Sequence, residues 1–115
     1  MIQEIINSIY PLSVNSLNEL ESLVEIETYQ KGEIFIKKDR PNKKEYFLLD
    51  GICKSFLISP EGEEITLSFF NSKAILSPYN TRTQKKASML NFKSLTNISL
   101  ATIDAKKFEM LMVNN

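Results

Sequence analysis

The sequence contains no histidine. That absence removes imidazole acid–base catalysis, histidine-built catalytic triads and most metal-dependent enzymes. It contains one cysteine, Cys53, so no disulfide forms within the chain and a reducing cytoplasm is the expected compartment. It has no excess of either charge: fourteen cations meet fourteen anions. A neutral chain is a poor match for nucleic-acid binding through bulk electrostatics, which needs a distinctly basic surface. No apolar run approaches the roughly 20 residues that span a bilayer, so no membrane partner is expected. The opening MIQEIINSIYPL carries Glu4 and no basic region, and does not read as a secretion signal. Carboxylates survive these exclusions, but they lie mostly in turns and at strand ends, without calcium-loop spacing. No metal, no cofactor and no catalytic residue is expected, and the chain is not read as an enzyme.

What is present is the material of one domain. The 115 residues are 43% hydrophobic and 10% aromatic, enough for a single core. Residues 1–24 read as two short helices. Ile2, Ile5, Ile6 and Ile9 have helical spacing, and Pro11 ends that run. Ser16 with Glu19 forms a capping-box pattern ahead of a stripe of Leu17, Leu20, Leu23 and Val24.

From 25 to 103 the pattern becomes seven or eight short apolar runs separated by turn signals. Gly32 suits a tight turn, and KKDRPNKK (37–44) reads as a solvated hairpin end. Its cations lack interleaved aromatics, so it is not a nucleic-acid stacking surface. Two strands meet at Asp50-Gly51, a common turn pair, and SPEGEE (59–64) is a further turn. Ile65, Leu67 and Phe69 alternate and are expected to face one way. Two more strands separate near Thr96-Asn97. Cys53, inside an apolar run, reads as a small core residue with nothing to activate it. Phe47, Phe56, Phe69, Phe70 and Phe92 read as core. Residues 104–115 start a C-terminal helix with Asp104 as cap and a seam of Phe108, Leu111 and Met112. The fold class expected is mainly β with flanking helices: an antiparallel jelly roll, or double-stranded β-helix, over the single domain 1–115.

YQKGEIFIKKD, EYFLLDG and SPEGEEITLSFF, followed by a loop, two strands and KKFEMLM, together resemble the cyclic-nucleotide-binding domain of the Crp/Fnr transcription regulators, a bacterial family. The resemblance covers about residues 16 to 112. It implies a small double-sheet jelly roll that senses a small effector. It also implies a long helix that pairs with a second subunit, and a helix-turn-helix through which alone DNA is bound. Both would continue past this chain, which reads as a piece of a longer regulator or as a domain that stands alone.

The family's binders hold a cyclic phosphate with a cassette after the strand that is ITLSFF here. A glycine and a glutamate precede a one-turn helix; an arginine and a small hydroxyl residue follow it. The helix N-terminus and the arginine meet the phosphate, and the glutamate accepts from the ribose. Counting forward without gaps places these four on Ser77, Pro78, Ser88 and Met89. None matches, and no acid occurs from 71 to 103, so no shift of register supplies the glutamate. Two readings of the stretch SPYNTRTQKKASM stand side by side. In one, Ser77, Arg82, Lys85, Lys86 and Ser88 line a rearranged pocket for a small organic anion, with Thr81 and Thr83 as further donors. In the other, the cations are solvated and Tyr79 fills the space a nucleotide occupies in the binders.

The leading function is a non-enzymatic effector-sensing input domain of a Crp/Fnr-like regulator that does not bind cyclic AMP in the family's manner. The alternative is a free-standing jelly-roll ligand-binding or protein-interaction module. A cupin-like metalloenzyme shares the jelly-roll plan but needs histidines that this chain lacks.

Overall fold

The structure, a computed structural model, describes residues 13–76 and 88–113. Helix α1 (Val14–Leu23) leads into eight strands: β1 (Glu25–Tyr29), β2 (Ile34–Ile36), β3 (Lys44–Asp50), β4 (Cys53–Ile58), β5 (Glu64–Phe70), β6 (Ile75–Leu76), β7 (Asn91–Ser94) and β8 (Ile98–Asp104). Helix α2 (Ala105–Val113) follows. The expected helix over residues 2–9 lies outside the described residues.

Helix α1 starts one turn earlier than the capping box places it. Ser13 is extended, with φ −64° and ψ 160°. Its Oγ accepts from Ser16 N at 3.2 Å and its carbonyl from Leu17 N at 3.0 Å. A hydroxyl three residues upstream of Ser16 satisfies the same orphan amides, so Ser16 becomes a buried first-turn residue rather than the cap. At the other end the cap falls where the sequence puts it: Asp104 Oδ1 accepts from the amides of Lys106 and Lys107, each at 3.0 Å.

The strands form two four-stranded antiparallel sheets in the orders β1-β8-β3-β6 and β2-β7-β4-β5. Among the described residues, only one short connection is a hairpin within a sheet. That is β4–β5, whose turn is closed by Ser59 N to Glu63 O (2.8 Å) and Gly62 N to Ser59 O (2.9 Å), with Gly62 at φ 85°. The links β1–β2, β2–β3, β3–β4 and β7–β8 all cross from one sheet to the other. The stretch 37–44 is therefore a corner and not a hairpin end. Turn chemistry is local, whereas sheet membership follows from pairing over long distances in the chain. Gly51, at the β3–β4 corner, has φ 97°. A Cβ there would stand 2.5 Å from Asn97 O and 2.6 Å from Ile98 Cγ2, so the two corners at 51 and 96–98 touch through a residue that only glycine fits.

Two core layers result. Between the sheets lie Ile36, Tyr46, Leu48, Cys53, Leu76, Phe92, Ile98 and Leu100; between the first sheet and the helices lie Leu20, Phe47, Ala101, Ile103 and Leu111. Because side chains alternate along a strand, β3 sends Tyr46 and Leu48 to one layer and Phe47 to the other. The seam of Phe108, Leu111 and Met112 packs on this second layer, with the Phe108 ring 5.6 Å from that of Phe47 and edge-on.

The alternation expected for Ile65, Leu67 and Phe69 breaks. Pairing steps from Ser55↔Ser68 to Phe56↔Thr66, which leaves Leu67 as a bulge. Phe69 then pairs with Lys54, and Ile65 with Leu57 on the opposite face of β4. All three are exposed, Phe69 by 69%, so Phe69 is not a core residue.

Candidate functional site

Four of the five residues expected to line an anion pocket, Ser77, Arg82, Lys85 and Lys86, lie outside the described residues, as does Tyr79. The fifth, Ser88, is fully buried. Its amide donates to Arg40 O at 3.1 Å, and its carbonyl accepts from Asp39 N at 2.8 Å. Its hydroxyl donates to Leu90 O at 2.7 Å and accepts from Leu90 N at 3.3 Å. A hydroxyl has one proton, and this one is directed to a backbone carbonyl. Ser88 therefore fastens the segment before β7 to the 37–43 corner. Lys38 N, which donates to Asn91 Oδ1 at 2.8 Å, adds a second fastening.

Between the sheets, aromatic rings fill the interior. Phe35, at the irregular step of β2, stacks on Tyr29 at 5.2 Å and lies 6.2 Å from Tyr46 and 6.3 Å from Phe92; Phe92 lies 5.9 Å from Phe70. Rings at such spacings attract one another beyond their buried area. Cys53 is part of this layer, and burial pushes its thiol up to about 12. It remains protonated at neutral pH and is no nucleophile.

One end of this interior is polar, and the sequence reading missed it. Glu27 on β1 accepts from Tyr29 Oη at 2.6 Å, from Lys44 Nζ at 2.7 Å and from Thr102 Oγ1 at 3.1 Å. The carboxylate thereby joins edge strand β1 to β3 across β8. Burial alone pushes the Glu27 carboxyl up, but the bonds from Lys44 and Tyr29, the Lys44 charge and the Thr102 bond outweigh it and hold it below its ordinary 4.5. The same pairing raises Lys44, through its bond to Glu27 above all. Burial and then Glu27 raise Tyr29. Asn42 Nδ2 donates to the neighbouring Tyr46 Oη at 2.9 Å. The signal in the sequence was the period-two run Glu25, Glu27, Tyr29, which puts polar groups on the inward face of an edge strand.

Two open hollows border these strands. One, of about 620 Å³, is lined by Glu33, Asp50, Thr28, Gln30 and Asn97 among others, and has no cation in its wall. Such a lining opposes an anion. The other, of about 270 Å³, is lined by Lys43, Lys44 and Lys107 together with Glu25 and Asp104, and Lys44 is already paired with Glu27. Among the described residues no group of three histidine, cysteine, aspartate or glutamate side chains is placed to hold a metal. No helix among them is long and apolar enough to cross a membrane.

On the outer face of the second sheet, Glu64 takes Lys54 at 2.5 Å and Lys93 at 2.6 Å. Both ammonium groups stand over the buried Phe56 ring, at 5.7 and 5.3 Å from its centre. These cations stand over an aromatic and share one carboxylate, and Phe56 is buried beneath them, outside both core layers.

Residues 26–115 match the model of the cyclic nucleotide-binding domain family. No curated protein matches the sequence. Among solved structures, the chain is similar to the sensor domain of the transcriptional regulator DNR from Pseudomonas aeruginosa. The TM-score is 0.88 at 20% identity, over 99% of this chain and 78% of that one. It is similar also to cAMP-bound PfPKA-R, with TM-score 0.83 at 15% identity over 96% of this chain and 40% of that one. A third is the regulatory subunit of a cAMP-independent protein kinase A from Trypanosoma brucei, with TM-score 0.77 at 14% identity over 96% of this chain and 39% of that one. At such identities the likeness is one of fold.

Proposed function

The chain belongs to the cyclic nucleotide-binding domain family, and on that premise we propose that it is a non-enzymatic effector-sensing domain of a Crp/Fnr-like transcription regulator that does not hold cyclic AMP through the family's phosphate cassette. The observation that carries this reading is chemical. The cassette positions are Ser77, Pro78, Ser88 and Met89, and no acid lies anywhere from 71 to 103. Proline offers neither a side-chain acceptor nor an amide proton. A buried phosphate without a paired cation costs on the order of several kcal/mol, which is several decades of affinity at about 1.4 kcal/mol each. The local bonding of the Ser88 hydroxyl supports the reading.

The fold supplies a route for sensing. A change between the sheets bears on Tyr46 and Leu48; the intervening residue of β3, Phe47, carries Phe108 of α2 on the opposite face. An effector that fits one arrangement of β3 better than another shifts the population of α2 positions. In this reading the effector is a small molecule other than a cyclic nucleotide, and DNA contact belongs to another part of the regulator. Calorimetric titration with cyclic AMP and cyclic GMP, with Arg82→Ala as control, tests it. No micromolar binding is expected from either nucleotide. Micromolar binding that Arg82→Ala abolishes would show a working phosphate site and end the proposal.

A further inference from the structure

Each sheet edge exposes backbone amides and carbonyls to pairing with another strand, and proteins blunt such edges with charge, brevity or proline. Three of the four edges here are blunted. Strand β1 carries Glu25 and Glu27 in five residues; β2 has three residues, flanked by Lys31 and Lys37; β6 has two. Strand β5 is different. It has seven residues, and from Ile65 to Phe70 it contains neither a charged residue nor a proline. Among the described residues it pairs with β4 alone. Leu67 is 48% exposed and Phe69 69%. The bulge at Leu67 bends the strand, but Ser68, Phe69 and Phe70 keep regular pairing with Ser55, Lys54 and Cys53, so these three residues present a regular edge on their far side.

We propose that β5 is an interface for a second copy of this chain, antiparallel β5 against β5, continuing the second sheet across a two-fold axis. The occupant follows from the strand's own charges. Glu61, Glu63 and Glu64 lie before its apolar run, and Lys73 lies after it. Antiparallel pairing brings the acidic end of one copy beside the basic end of the other, whereas parallel pairing stacks acid on acid. The chain's zero net charge puts no long-range repulsion between copies. The register that sets Lys73 of one copy beside Glu61 and Glu63 of the other places each Phe69 beside the partner's stretch from Ile65 to Leu67, which covers the most exposed aromatic described. A two-fold contact uses the edge of both partners, so assembly closes at the dimer.

Sedimentation velocity from micromolar to high-micromolar chain tests this, together with hydrogen exchange of residues 65–70. A monomer–dimer equilibrium is expected, with slower exchange of those amides as concentration rises. Phe69→Glu, at an exposed position, is expected to weaken the dimer at least about tenfold with an unchanged circular dichroism spectrum, and Met110→Glu on α2 to leave it intact. Lys73→Glu is expected to weaken it, and addition of Glu61→Lys and Glu63→Lys to restore it. A monomer at every concentration, open-ended polymers, or a dimer lost with Met110→Glu but kept with Phe69→Glu would each overturn the proposal.

Discussion

The two sheets obey different rules. In the first, β1-β8-β3-β6, the inner strands β3 and β8 are buried on both faces: Phe47 fills one layer and Leu48 the other, both with no exposure, while edge strand β1 leaves Ile26 exposed. The second, β2-β7-β4-β5, has one face on the shared interior and turns the other to solvent, where Lys54, Glu64 and Lys93 roof Phe56. The first sheet is held by packing, which is short-ranged and insensitive to salt. The second relies on that same layer from inside and on screened charge from outside. A domain of this form has one sheet packed under its last helix and one whose outer face carries charge over an aromatic.

Four measurements sharpen or break this contrast. The largest effect is expected from Phe47→Ala, which empties the layer under α2 and costs about 4 kcal/mol in denaturant unfolding. A loss under about 1 kcal/mol would mean that α2 does not depend on that layer. Next is Gly51→Ala, at the corner joining the sheets. Its Cβ meets the Asn97 carbonyl at 2.5 Å while φ stays positive, and about 3 kcal/mol is expected to be lost. Thermal unfolding checks it, and wild-type stability would show that the corners do not touch.

Glu27→Gln is expected to cost about 1 kcal/mol, a charge-assisted network discounted for its partly exposed lysine. Its carboxyl titrates below its ordinary value when folded. It therefore stabilises the fold above the unfolded pKa, and the contribution fades as pH falls below about 4.5 toward the folded value. Urea titrations at pH 7 and pH 3 are expected to show a smaller acid loss in the glutamine variant than in wild type; equal losses would remove Glu27 from the account. The smallest effect is expected from Phe69→Ala, within about 0.5 kcal/mol for the monomer at low concentration. A larger loss would place Phe69 in a core after all.

Much of the fold was legible because its signals are local. The Asp104 cap, the Phe108–Leu111–Met112 seam and the Glu61-Gly62 hairpin all rest on neighbours within a few residues. Cys53 was legible from its apolar run. The capping box at Ser16 misled because Ser13 offers the same hydroxyl three residues earlier, and the choice between them depends on how the chain enters the helix. The candidate site was legible only by what it lacks: the missing glutamate is a fact of composition, whereas the hydroxyl of Ser88 turning to Leu90 O depends on a loop reaching back to Arg40. Glu27 showed only as part of the period-two run with Tyr29, since its other partners Lys44 and Thr102 lie 17 and 75 residues away.

By itself the sequence determined that seven or eight short strands alternate with turns, that glycine serves the turns at 32 and 51, and that no acid occurs from 71 to 103. These depend on backbone preference and composition, which act over a few residues. Only the tertiary structure decided that nearly every short turn is a corner between sheets, that a bulge at Leu67 splits an apolar run between two faces, and that β5 pairs, among the described residues, with β4 alone. Those outcomes come from hydrogen-bonded pairing between distant segments, where a shift of one residue moves a side chain from core to solvent.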